Sequence, residues 1–520
     1  MTTRHQIMLS AIAVLFGMST QQGQSHAETV EEVRELVGLN ALTERLGPGQ
    51  VPTGSGIGIL QCEASEGGAN WGPDTSLPDF SGKSFTYPGG SPGVSSHATN
   101  VARWTYGSAW SIAPDISDIY VYEAGSFLFT NYLRTGQGSL APLSPPDDSI
   151  RVMNHSWIGQ FGNSNDVQAV NRYDYALLRD NIISMNGRAN DAPTDARLLA
   201  YAFNSITVGT TSGTHATADT PSDFDGPGRM KPDLIAPGSL TSYSTGVASA
   251  AAAVIFETIE IDPVLAADPL APRMPIMKSV LLAGATREGD WTNNPVDGIT
   301  ARPIDEIQGA GIINIDRSHQ IISGYRQVGG FSLEDAPEIS LAGFDYPRVG
   351  VGQTKWWRFS TAVGMDEVSV VLTWPRIPST SNYAFYTLMD IDLELVRIVD
   401  GVAETIVDGI GSGVYESGNH LSISQVDNIE LLSIRGLAPG DYAIRADRQN
   451  SNSTTYGGLA WLLIESEQGL IGDFNGDFLV NGQDLATLLS GWGSDDPALD
   501  LNGDGIIGGA DLAQLLSNWS

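Results

Sequence analysis

The chain has 520 residues, enough for three or four domains at about 150 residues each. Acidic residues number 60 and basic residues 27, for a formal charge of −33. That balance excludes the basic face phosphate recognition needs, so no nucleic-acid partner is expected. Hydrophobic residues make up 41% and charged residues 17%, enough to bury real cores, and a single cysteine, Cys62, closes no intrachain disulfide.

In chain order, residues 1–27 read as a secretion signal: Arg4, an apolar run over 7–18, and the small-x-small site Ser25-His26-Ala27. An apolar run of about 12 residues is too short for roughly 30 Å of hydrocarbon, and no later segment is long or apolar enough either. An exported chain, secreted or cell-surface associated, is expected. Residues 28–53 form an N-terminal segment in which 29–46 carry helical periodicity (Val33, Leu36, Val37, Leu42), consistent with a packing helix.

From 54 to 325, nearly continuous apolar runs at 57–62, 119–122, 152–155, 182–185 and 205–208 alternate with helical patterns such as 98–106 and 167–179. Runs of that kind suit parallel strands covered on both faces. The predicted fold is α/β, a doubly wound mostly parallel sheet whose reactive groups gather at the carboxyl ends of its strands. Within 231–259 a Gly/Pro-rich turn leads through Thr241-Ser242 into an alanine-rich helix that small side chains let lie against a sheet. Free N–H groups at its start favour a developing oxyanion, a suitable setting for a nucleophile at Ser242. For a serine taken alone, an N-cap is the far commoner role.

Several blocks of this region resemble the subtilase family of subtilisin-like serine peptidases, in the family's order. KPDLIAPG and TSYSTGVASA match the segment around the nucleophile, SSHATNVARW the histidine block, and VMNHSWIG the strand lining the cleft. IISMNGRAND matches the oxyanion block and GAGIINIDRS the closing segment. The resemblance implies Ser242 as nucleophile, His97 as general base, Asn186 as oxyanion donor, and Glu63 where the family has aspartate, with Glu66 as the substitute. Leu240 stands in place of the glycine before Thr-Ser, Gly246 in place of a proline, and Asn186 follows Met185 where the family has glycine. Trp157 is placed near the cleft, His155 in a core strand, and His215 in an exposed loop. Cys62 is expected to be a buried small hydrophobe.

Residues 330–470 are strands split by Gly/Pro/Asn turns, predicted as an antiparallel β-sandwich resembling the jelly-roll modules that follow subtilase domains. Asp390 and Asp392 alternate on one strand, and Asp427, Asn428 and Glu430 cluster elsewhere; no site is assigned to either group. Residues 471–520 hold eight aspartates, no lysine and no arginine, and repeat themselves after 27 residues. Oxygen-bearing side chains recur at loop positions 1, 3, 5 and 12: Asp473, Asn475, Asp477 and Asp484, then Asp500, Asn502, Asp504 and Asp511. Such spacing suits Ca²⁺, and each loop leads into a helix, giving a small helical calcium-loop module. Phe478 occupies position 6 of the first loop, where glycine suits the turn. Aspartate at position 12 makes the pair resemble a dockerin module with duplicated EF-hand loops, which implies a cohesin-like or cell-surface partner.

Together these readings give an exported, calcium-binding serine endopeptidase that cleaves protein or peptide substrates through an acyl-enzyme. The alternative is a catalytically inactive subtilase-fold scaffold anchored by the calcium module.

Overall fold

The computed structural model describes residues 28–520 apart from 162–163, 192–195, 218–219, 223, 225, 407–417, 451–454, 467–471, 473, 476–479 and 520. The predicted signal, Asp473, Asp477 and Phe478 lie outside the described residues. The chain starts with two short helices, α1 (Val30–Leu36) and α2 (Leu39–Leu46), where one was expected. They part at Val37–Gly38, Gly38 having φ +75°. Val33, Val37 and Leu42 join the main core.

The predicted doubly wound sheet is present. Its seven parallel strands are β1 (Gly58–Glu63), β2 (Ser84–Thr86), β3 (Asp118–Glu123), β4 (Ile150–His155), β5 (Ile183–Gly187), β6 (Ile206–Thr210) and β7 (Leu234–Ala236). They lie in the order β2-β3-β1-β4-β5-β6-β7. The winding reverses between β1 and β4, which opens a crevice beyond the carboxyl ends of those two strands. Successive residues face opposite sides of the sheet. Ile59, Val121, Val152 and Met185 therefore join the core around helix α5 (Thr241–Ile261), whereas Leu60, Cys62 and Met153 face α4 (Ser164–Asp180). Helix α3 (Ser96–Tyr106) packs directly on α5, and Gly246 makes the approach possible. A Cβ there would meet Thr105 Oγ1 at 2.8 Å and the Val101 carbonyl at 3.2 Å. Against the expectation that no segment after the signal is long and apolar enough to cross a membrane, α5 is so among the described residues, but it is buried inside the molecule as a core helix.

The antiparallel sandwich follows. One sheet runs in the order β8 (Ala342–Asp345), β14 (Gly458–Glu465), β10 (Met365–Thr373), β12 (Ile429–Leu437). The other contains β9 (Thr354–Thr361), β11 (Ile391–Val399) and β13 (Gly440–Arg448), with β13 between its two partners. The inner faces close over Trp357, Trp374, Trp461, Val370 and Leu432. The first sheet's outer face covers α6 (Met274–Ala283), all ten residues of which are buried. Ser369 and Thr373 of β10 donate hydroxyl hydrogen bonds to the carbonyls of Ala283 and Pro275, at 2.7 and 2.8 Å. The two-residue strand Ile299–Thr300, from the α/β region, pairs in parallel with Leu421–Ser422 of the second sheet. Asp174 and Arg376, both fully buried, form an ion pair across the same junction. The two layers thus share one core. Near the C-terminus α7 (Gly482–Ser490) and α8 (Gly509–Ser517) pack through Val480, Leu488, Ile507 and Leu515.

Candidate active site

Glu63 is the last residue of β1, fully buried, and on the same face as Gln61. His97 lies in the first turn of α3, which Ser95 caps by accepting the Ala98 N–H. The His97 Nδ1–H donates to Glu63 Oε2 at 2.8 Å, which fixes the ring's tautomer and leaves Nε2 free to accept a proton. The imidazole keeps 20% of its surface exposed, so it can be reached from the crevice. Burial works against charging this ring, but the adjacent Glu63 carboxylate, with Glu66 further off, outweighs it and raises the pKa above its ordinary value.

Glu66 is engaged elsewhere. Its oxygens accept the backbone N–H groups of Ser96 and His97 at 2.8 and 3.1 Å and the Ser96 hydroxyl at 3.0 Å. Although burial opposes it, these donors hold the Glu66 pKa below the usual range. Glu66 therefore secures the start of α3, and of the two glutamates only Glu63 touches the His97 ring.

Ser242 occupies the first turn of α5 and is 8% exposed. Its carbonyl accepts the Ser156 hydroxyl at 2.9 Å, and its own hydroxyl donates to the Ser156 carbonyl at 3.4 Å. The neighbouring Tyr243 ring lies 6.4 Å from the His97 ring, so His97 sits beside this turn without a direct hydrogen bond to Ser242. Leu240, in place of glycine, has extended backbone (φ −139°, ψ 150°) that any residue adopts, so it brings no strain.

Asn186 is not brought into this group. Strand alternation points it toward α4, where Tyr173 donates to its Oδ1 at 3.2 Å and its amide donates to the Leu199 carbonyl at 3.2 Å. The asparagine that reaches α5 is Asn190, three residues past the end of β5. Its Oδ1 accepts both the N–H and the hydroxyl of Thr241 at 2.9 Å, which leaves the Asn190 amide group at the exposed rim beside Ser242. The sequence signal for it was the end of the strand: a donor to the crevice must lie beyond Gly187, not within β5.

The other histidines have structural surroundings. His155 ends β4, fully enclosed; burial pushes its pKa down to about 3, and it accepts the Trp157 indole N–H at 3.2 Å. His215, expected on an exposed loop, is buried: its Nδ1 accepts the Thr210 N–H at 3.1 Å and its Nε2 pairs with the Ile307 carbonyl at 3.0 Å. The loop folds back under β6 and takes the ring with it. Cys62 is buried, and desolvation, followed by the Glu63 charge, raises its thiol pKa well above the ordinary value, so it stays a thiol.

In the C-terminal repeat, Asp500 accepts the N–H groups of Gly503, Asp504 and Gly505, Asn502 Oδ1 that of Asp504, and Asp504 that of Ile506. Gly505, at position 6, has φ +86°, a turn that Phe478 in the first loop is ill suited to make. Asp511 accepts the N–H groups of Leu501, Asn502 and Gly508, and Asp484 those of Phe474, Asn475 and Asn481. The donor set is all oxygen, as a hard cation requires. Among the described residues no three acidic, histidine or cysteine side chains converge closely enough to hold an ion.

No family model matches the chain. The serine protease/ABC transporter B family protein tagA of Dictyostelium discoideum is 24% identical over 239 residues, 42% of this chain and 14% of that protein. The chain therefore spans a small part of that relative's length. Among solved structures, the prenylagaramide maturation protease PagA is 18% identical at a TM-score of 0.35, over 54% of this chain and 98% of that one. An S218A mutant of the PatA protease domain is 15% identical at a TM-score of 0.35, over 53% and 98%.

Proposed function

We propose that the chain is a serine endopeptidase of the subtilisin-like kind. The observation that carries this reading is the buried Glu63–His97 pair at the winding reversal, beside the helix start that bears Ser242. Similarity to a protein named as a serine protease agrees with it. For turnover the Ser242 hydroxyl must turn away from the Ser156 carbonyl and form a hydrogen bond to His97 Nε2 when substrate is bound. Oγ then attacks a peptide carbonyl while Nε2 takes its proton, and the Glu63 carboxylate stabilises the imidazolium. The Ser242 N–H, which has no intrahelical acceptor at that position, and the Asn190 amide donate to the oxyanion. His97 returns the proton to the leaving amine, and water hydrolyses the acyl-enzyme by the same route.

Labelling of the purified protein by a fluorophosphonate, with Ser242→Ala alongside, tests this. Labelling of the unaltered chain only is expected; no labelling of folded protein favours the scaffold, in keeping with the present Ser242–Ser156 bond.

The same reading includes export, supported by residues 1–27, and Ca²⁺ binding by 471–520 with a cohesin-like or cell-surface partner, supported by the repeat spacing. Calorimetric titration with Ca²⁺ should give heat that is lost in the double variant Asp500→Ala/Asp504→Ala.

A further inference from the structure

The glutamate raises its own problem. Its side chain is one methylene longer than aspartate, with one more torsion to fix, so a carboxylate at Glu63 needs something besides His97 to hold its plane. One of its oxygens meets the His97 ring; the other accepts the Gln61 Nε2–H at 2.7 Å. The second hydrogen of the same amide goes to the Ala98 carbonyl, next to His97 in the chain, at 3.0 Å. The Gln61 carbonyl accepts the Tyr106 hydroxyl, from the last turn of α3. Gln61, Glu63 and Tyr106 are all fully buried.

This pattern has one consistent polarity. Turning the Gln61 amide over would aim its carbonyl at two acceptors, the Glu63 carboxylate and the Ala98 carbonyl, and its NH₂ at a phenol. The phenol stays a donor, because burial, with the Glu63 charge behind it, pushes the Tyr106 pKa well up. Both ends of α3 are thus tied through one strand residue to the carboxylate that its first turn contacts.

Building on the peptidase reading, we propose that Gln61, oriented by Tyr106, is a positioning residue that fixes the Glu63 carboxylate so that Oε2 faces His97 Nδ1. The two act through Glu63 and touch no substrate. Gln61 is the device by which this site uses glutamate as its acid.

The experiment is ¹⁵N-histidine NMR of the full chain across a pH titration, on Gln61→Leu and on Tyr106→Phe, with fluorophosphonate labelling in parallel. The ionisable groups that face His97 are Glu63 from β1, Glu66 from the following loop and Tyr243 from α5, and neither variant alters any of them. With the carboxylate free to turn, the His97 pKa should fall toward its ordinary value, and the hydrogen-bonded Nδ1 proton signal should weaken. Tyr106→Phe keeps the ring packing and reaches His97 only through Gln61, so a smaller shift in the same direction is expected even where Gln61→Leu folds poorly. An unchanged His97 titration and Nδ1 signal in folded Tyr106→Phe would overturn the proposal. The two readings separate: a shifted titration in a protein that never labels retires the peptidase and keeps the positioning role, whereas labelling with an unmoved titration does the reverse.

Discussion

At the scale of the residue, the chemistry rests on how a long acid is used where a shorter one would serve. Under the proposed mechanism His97 acts as a base only when neutral, so its raised pKa has a definite sign in activity. The acid limb of kcat/KM should have its midpoint above about 6.5, and Glu63→Gln should move that midpoint down while lowering kcat by about 10⁴. The same pair stabilises the fold below the unfolded-state pKa of His97, and that contribution is lost as pH rises through the raised folded value. Asn190 and Asn186 part at this scale too. Asn190→Ala should lower kcat by about 10²–10³ with KM little changed, as loss of an oxyanion donor does. Asn186→Ala should leave turnover largely intact and cost about 1 kcal/mol in a denaturant melt, because two hydrogen bonds are lost while the Ala202 N–H and the Ser184 hydroxyl still serve the Leu199 carbonyl and the Tyr173 hydroxyl. Equal kinetic losses in the two variants would refute the assignment.

Elements decide which of these residues meet. Helices α3 and α5 carry His97 and Ser242, the proposed base and nucleophile, and their distance is set where Gly246 lets the backbone of one lie on the side chains of the other. Gly246→Ala should cost about 1–3 kcal/mol by thermal denaturation and lower kcat as the helices separate. A variant as stable and as active as the parent would show that the contact yields. Much of this layer was legible in the sequence. The cores of β1, β3, β4, β5 and β6 are apolar runs that parallel strands must be, and the alanine-rich stretch of α5 has few other homes. β2 and β7 went unread because three residues carry no period. Asn186 was chosen by its place in a matching block, and strand phase overrode that choice: alternate residues of β5 face opposite layers, and it falls on the α4 side. His215 was placed on an exposed loop because the resembling family has a surface loop there, which does not reveal that this loop turns under β6.

At the scale of the whole molecule, the α/β layer and the sandwich are joined through α6, the Asp174–Arg376 pair and the Ile299–Thr300 strand. Sequence composition marks a change of character near residue 330 but cannot show that the apolar side of α6 is completed by strands more than 80 residues later. A chain ending at residue 325 should therefore remain partly unfolded, with α6 exposed and Asp174 buried without its cation, a loss of about 3–5 kcal/mol on its own. Scanning calorimetry of the chain without 471–520 should show one transition for both layers. A separate, cooperative transition from the 28–325 chain would defeat this account. The shared core also acts as a clock. A chain made N-terminus first holds all its reactive groups by Ser242, yet α6 gains its cover only when β14 emerges, roughly 10–40 s later at about 5–20 residues per second. During that interval Ser242 and His97 belong to an unfinished core, so under the proposed peptidase reading the timing of synthesis itself delays hydrolysis until the last strand is home.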